Sequence, residues 1–142
     1  LIGVYKSSND SIQELIVAYK LNFQDENGIL LVLISGEREK EELVNRAKET
    51  WRKIARMGNE KGYGKLLIVS SATGSYPVLD AFLINSSLDE CGVQRVWKIA
   101  FVNLDQASFP DVKFAEMIAV NRGFDLAVFD SEESARRWLM AS

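Results

Sequence analysis

The sequence predicts an α/β fold: a mostly parallel mixed sheet with an N-terminal hairpin, in the order β-β-α-β-α-β-α-β-α. Short apolar runs of strand length recur at Ile29 to Ile34, Leu66 to Val69, Val96 to Val102 and Leu126 to Phe129. Stretches with apolar residues every three or four positions separate them, which is the spacing of one helix face. An Asn-Gly pair, Asn27-Gly28, stands between the first two candidate strands, where both residues tolerate the positive φ of a tight hairpin. Strands that alternate with helices are joined by right-handed crossovers and run parallel, so only the hairpin adds an antiparallel edge.

Each element follows from its own pattern. Ile16 to Phe23 alternates, with Val17, Tyr19, Leu21 and Phe23 on one face and Ala18, Lys20 and Asn22 on a wetter one, as an edge strand does. Ile29 to Ile34 is its continuous apolar partner. Glu37 to Gly58 steps through Leu43, Ala47, Trp51, Ile54 and Gly58 and predicts a long amphipathic helix. Glu37, Glu39, Glu41 and Glu42 crowd its start, and Arg46, Lys48, Arg52, Lys53 and Arg56 fill its later turns, as the macrodipole favours. Tyr76 to Leu88 predicts a second helix with Pro77 in the first turn and Leu79, Phe82 and Leu83 facing inward. Val112 to Arg122 predicts a third, with Phe114, Met117 and Ile118 on one side and Gly123 as its C-terminal cap. Asp130 and Glu133 fit a reciprocal capping box opening a last helix with an Ala135, Trp138 and Leu139 stripe.

Composition narrows function. The chain has 142 residues, 47% hydrophobic and 26% charged, which suits one core-forming domain over 1–142. It contains no histidine, which removes Ser-His and Cys-His nucleophile activation and His-ligated metal. A single cysteine, Cys91, cannot form an internal disulfide and fits a reducing cytoplasm. With no partner residue to activate it, it reads as an inert thiol. The net charge of -3 argues against a nucleic-acid partner. The longest apolar run is far too short to span a bilayer, so no membrane span is expected.

Ser70-Ser71-Ala72-Thr73-Gly74-Ser75 is the candidate site. It leaves the carboxyl end of a strand and leads into a helix, where α/β proteins place ligands. Amides and hydroxyls there can hold an anion or present a phosphorylatable side chain. Ser, Thr and Gly are equally the ordinary residues of a strand-to-helix loop with an N-cap, and both readings stand. The stretch is neither a Walker P-loop nor a nucleophile elbow. Gly62-Tyr63-Gly64 precedes its strand and reads as loop glycine. Arg46, Arg52, Lys53 and Arg56, with Lys61 and Lys65 beyond, read as a solvated helix face. Trp51, Trp97 and Trp138 read as core. Carboxylates lack metal-loop spacing, so no metal or other cofactor is expected.

Several segments together carry a family resemblance: Trp97-Lys98-Ile99-Ala100-Phe101-Val102, Phe114-Ala115-Glu116, Asn121-Arg122-Gly123-Phe124-Asp125, and Val128-Phe129-Asp130-Ser131-Glu132-Glu133-Ser134-Ala135 with Trp138-Leu139. With Ser35-Gly36-Glu37 before the first long helix, the chain resembles the STAS-like, anti-sigma-factor-antagonist-like proteins of bacteria, in a divergent branch, over Ile16 to Leu139. The resemblance implies a β-α superhelix with a mixed sheet and a non-enzymatic regulatory module. Its implied partner is a protein, a kinase or an anti-sigma-like regulator, and a homodimer is among the implied assemblies. Members of that superfamily carry Asp-Ser-Ser-Gly at the second helix, with the second serine phosphorylated. Here the motif falls on Ser71-Ala72-Thr73-Gly74, so Thr73 takes the acceptor position, Gly74 matches the glycine and Ser71 stands in place of aspartate. Ser75 is the adjacent hydroxyl. The alternative is a small-molecule or lipid carrier with a pocket between the second helix and the sheet, near Phe82 and Leu83.

Overall fold

A computed structural model describes residues 19–141. The strands are β1 (Lys20–Glu26), β2 (Ile29–Ser35), β3 (Lys65–Ser70), β4 (Lys98–Asn103) and β5 (Asp125–Phe129). The helices are α1 (Leu43–Lys61), α2 (Val78–Asn85), α3 (Phe109–Asn121) and α4 (Glu132–Met140). Their order is the one the sequence predicts. The strands lie side by side as β1-β2-β3-β4-β5, with β1 antiparallel to β2 and every later pair parallel. The expected first strand began at Ile16, and its residues 16–18 lie outside the described ones.

Strand alternation divides the core in two. Leu30, Val32, Ile34, Leu66, Ile68, Ile99, Leu126 and Val128 face α1, α2 and α3. Leu31, Leu67, Val69, Ala100 and Val102 face α4 through Ala135 and Leu139. Both faces of the central strands are covered, so their residues are almost uniformly apolar. Each fully buried aliphatic side chain contributes about 1.5–3 kcal/mol of transfer free energy. On β1, Leu21 and Phe23 are half-buried while Lys20, Asn22 and Gln24 are exposed, the alternation of an edge. Asn27 and Gly28 have φ of 53° and 86°, the left-handed pair the hairpin requires.

Several boundaries differ from the sequence reading. The first helix begins at Leu43, not Glu37, because Glu37 pairs with Thr73 in a parallel bridge and the chain there is extended. Glu37, Glu39 and Glu41 therefore precede α1 and do not sit in its first turn. The second helix begins at Val78, with Pro77 at its N-cap and not in its first turn. The last helix is capped one residue later than Asp130: the Ser131 hydroxyl accepts from the Ser134 amide at 3.2 Å. Strand β4 likewise starts at Lys98, leaving Val96 exposed. The Gly123 cap is as expected, since Phe124 N–H reaches the Ala119 carbonyl and Gly123 N–H that of Val120, a Schellman pair.

Side chains close the outer edges. On β5 the Val128 amide donates to Glu116 Oε1 at 2.7 Å, and Lys113 Nζ donates to the Val128 carbonyl at 2.9 Å. These two α3 residues take the place of a neighbouring strand and occupy an edge that would otherwise invite pairing. Arg136 of α4 bonds both Glu132 and Glu26, tying the helix to the hairpin and holding the Glu26 carboxyl below the usual range. The tryptophans are structural: Trp51 and Trp97 are buried, and Trp138 packs against Phe129 at 5.7 Å between ring centroids.

Gly58 shows how tightly α1 packs on Trp97, the residue just before β4. A Cβ there would lie 2.9 Å from the Trp97 ring, which is itself buried. Gly58→Ala would gain helix propensity of about 1 kcal/mol but forces a bulky core ring to move. We expect a net loss of about 1–3 kcal/mol in urea unfolding, the usual cost of overpacking; equal or higher stability would show that Trp97 has room to shift.

Candidate functional site

The parallel strands β2, β3 and β4 end together, and their loops meet at one end of the sheet. The loop after β3 continues the sheet pairing beyond the strand. Ser71 N–H donates to the Ile34 carbonyl at 2.9 Å, Thr73 N–H to Gly36 at 3.1 Å, and Arg38 N–H to Thr73 at 2.8 Å. Buried Ser70 accepts from the Ala72 amide at 3.2 Å, and the Ser70 carbonyl accepts from Leu104 N–H at 2.9 Å. The loop is thus held on both sides by backbone bonds, while Ser71, Thr73, Gly74 and Ser75 are exposed. The amides of Ser71 and Thr73 already serve the pairing with β2. The Ser71 hydroxyl donates to the Ile34 carbonyl at 3.3 Å as well, which leaves Thr73 and Ser75 as the exposed hydroxyl residues of the loop.

Arg38 gathers the three loops. Its guanidinium donates to the Gly74 carbonyl at 2.6 Å, to Ser108 Oγ at 3.1 Å and to Asn103 Oδ1 at 3.0 Å. Asn103 in turn donates to Ser108 Oγ at 3.1 Å and to the Asp105 carbonyl at 2.9 Å. Ser108 Oγ donates to Asp105 Oδ2 at 2.8 Å. A planar fork suits this task, because one rigid donor array can satisfy acceptors from two separate loops at fixed angles. Gly74 is needed beneath it: its φ is 105°, and a Cβ would meet the Arg38 carbonyl at 3.1 Å.

Behind Arg38 lies Tyr76, with the guanidinium carbon 5.4 Å from its ring centroid. Asn85 donates to the Tyr76 hydroxyl at 3.2 Å and to the Ala81 carbonyl at 2.8 Å. Burial pushes the Tyr76 phenol up to about 12, partly opposed by the Asn85 bond and the Arg38 charge. Tyr76, Ile84 and Asn85 line a cavity of about 80 Å³ against the sheet. Pockets for drug-sized ligands are typically about 300–1,000 Å³, and neither Phe82 nor Leu83 lines this one.

Leu79, Phe82 and Leu83 do not face inward. They are 67%, 48% and 42% exposed, and Ala81, Ile84 and Asn85 are buried in their place. Helix α2 is apolar nearly all round, Val78 included, so three- and four-residue spacing has no unique solution there. On the adjoining α3, Phe114, Met117 and Val120 are exposed as well, while Val112, Ala115 and Ala119 pack inward. The helices flanking the Thr73 loop therefore expose large apolar side chains.

The other candidates are structural. Cys91 is buried, and burial pushes its thiol up, which disfavours the thiolate. Lys48, Arg52, Lys53 and Arg56 stand with Glu49 on the outer side of α1. Among the described residues, no group of three or more Cys, Asp or Glu is placed to hold a metal, and no helix is long and apolar enough to cross a membrane.

No family model matches the sequence, and no curated protein matches it. In three dimensions the chain is similar to the crystal structure of an anti-sigma factor antagonist from Mycobacterium paratuberculosis. The TM-score is 0.55 at 12% identity, over 86% of this chain and 94% of that one. The fold is thus the STAS-type α/β sheet that the resemblance implies, reached through a very different sequence.

The raised phenol of Tyr76 has a signed consequence. The folded state holds this proton to higher pH than the unfolded chain, whose tyrosines titrate near 10. Its contribution to stability is complete below pH 10 and is lost as pH rises toward 12. Urea unfolding across this window should show falling stability, and Tyr76→Phe should flatten the fall. An identical pH profile for the two proteins would contradict the assignment.

Proposed function

We propose that the chain is a non-enzymatic regulatory module that docks a protein partner on the α2 and α3 face, with the hydroxyl of Thr73 as its control point. The observation that carries this reading is the row of exposed Leu79, Phe82 and Leu83 on α2, beside Phe114 and Met117 on α3. Soluble proteins seldom leave so many large apolar side chains out on adjoining helices unless something covers them. Thr73 is exposed in the loop that leads into α2, and its backbone is bonded to Gly36 and Arg38. A phosphate there would add about -1.5 to -2 charges beside an apolar docking surface, enough to disfavour an apolar partner.

The likeness to an anti-sigma factor antagonist supports a partner of the anti-sigma kinase type. Ser75 is the second hydroxyl within reach of such an enzyme, and Ser71 and Gly74 shape the loop that presents both. No specific observation favours the carrier reading, since the cavity beneath α2 measures about 80 Å³.

The test uses purified serine kinases of the anti-sigma type from the same genome, with ATP. We expect one to bind and to transfer phosphate to Thr73, with Thr73→Ala blocking incorporation. Phe82→Asp should weaken binding at least about tenfold, as loss of a buried aromatic anchor does, and Thr73→Glu should do the same. Binding by none of them, or full binding by both variants, would sink the proposal.

A further inference from the structure

The two edges of the sheet are finished differently. At β5 the Val128 amide and carbonyl are taken by Glu116 and Lys113, so that edge is occupied. At β1 Arg136 holds only the Glu26 carboxylate, and among the described residues nothing is bonded to the outer backbone of the strand. The hairpin settles which groups are left over. A two-residue turn closes on a bond between its flanking residues, here Glu26 and Ile29. Lys20, Asn22, Gln24 and Glu26 therefore bond β2, while Leu21, Phe23 and Asp25 direct their amides and carbonyls outward. Pairing with β2 runs residue for residue from Lys20 to Glu26, and the strand has no proline or bulge to blunt its edge.

We propose that this edge pairs with the same edge of a second copy of the chain, antiparallel about a two-fold axis at Phe23. The strand itself selects that partner, because Lys20-Leu21-Asn22-Phe23-Gln24-Asp25-Glu26 is complementary to its own reverse. With Phe23 opposite Phe23 of the second copy, Lys20 faces Glu26 and Asn22 faces Gln24, each pair twice over. Opposite charges directly across an antiparallel ladder are favourable contacts, and like charges there are not. Leu21 falls opposite Asp25, whose carboxylate accepts the Tyr63 hydroxyl at 2.8 Å within its own chain. The register also matches the outward backbone groups. Leu21, Phe23 and Asp25 of one copy meet Asp25, Phe23 and Leu21 of the other, and each such pair can exchange both N–H···O bonds. A shift of two residues either way would part Lys20 from Glu26. The meeting side chains also have room: Lys20 and Asn22 line an open groove, and α4 packs over β3, β4 and β5 instead of β1.

The pairing is separate from the partner proposed above. Helix α3 packs on β5, at the other edge of the sheet, and α2 packs on α3, so a copy joined at β1 leaves the α2 and α3 face free. Failure of either proposal leaves the other standing.

Sedimentation and cysteine crosslinking of the full chain test it. The chain should sediment as a concentration-dependent mixture of monomer and dimer. Lys20→Glu sets like charges opposite each other at an exposed position. It should raise the dimer dissociation constant at least about tenfold, with an unchanged circular dichroism spectrum. Asn22 and Gln24 would form a close cross-strand pair, with Cα atoms about 4.5 Å apart, a separation that a disulfide can bridge. Under mild oxidation a mixture of Asn22→Cys and Gln24→Cys chains should crosslink at least about tenfold faster than either chain alone, because only the mixture sets thiol opposite thiol. Buried Cys91 supplies little background. A monomer at every concentration, an unchanged dimer in Lys20→Glu, or equal crosslinking in the mixture and the single chains would overturn the proposal.

Discussion

The guanidinium of Arg38 joins three loops that leave three different strands, and the arrangement of the candidate site depends on that junction. Parallel sheets bring the ends of β2, β3 and β4 side by side but give their loops no shared hydrogen bonds. Here the parallel bridge between Glu37 and Thr73 aligns the first two loops, and Arg38 then reaches across to Gly74, Ser108 and Asn103. Bonds to a charged donor contribute about 1.5–3 kcal/mol each when both partners are half-buried and well aligned. The result is a rigid platform from which α2 and α3 depart.

Rigidity of that kind bears on recognition. A docking face built from two helices has a defined shape only if their starting points are fixed relative to each other. Asn85, the last residue of α2, donates to Tyr76 just before the helix, while Asn103, Asp105 and Ser108 bond one another at the start of α3. Thr73 joins this frame through its backbone amide and carbonyl, while the residue stays exposed. The absence of histidine sits easily with such a module, since presenting a surface needs no proton shuttle.

The fold was legible from sequence because the strands announce themselves: Ile29 to Ile34 and Leu66 to Val69 are short, continuous and apolar, and Asn27-Gly28 is an unambiguous hairpin turn. The site was legible only in part. The position of the Ser71 to Ser75 loop at a strand end followed from element order. Its pairing with Gly36 and Arg38 did not, because the bridge is a contact between segments far apart in the chain, and Glu37 and Arg38 follow a helix-like charge pattern that the pairing overrides. Nothing in the spacing of Arg38, Asn103 and Ser108 marks them as partners; only a shared sheet end brings them together. The inward face of α2 was misread for a different reason: apolar residues surround the helix axis, and Ala81 and Ile84 are the ones buried while Phe82 and Leu83 stay exposed.

The central claim is that Arg38 couples the loop carrying Thr73 to the loop that starts α3. Amide hydrogen exchange on Arg38→Ala, resolved at Ser71 to Tyr76 and at Leu104 to Phe109, measures this directly. The account predicts that protection falls in both loops together, at least about tenfold, with the sheet strands unchanged. Loss of protection in one loop alone, or in neither, would contradict it.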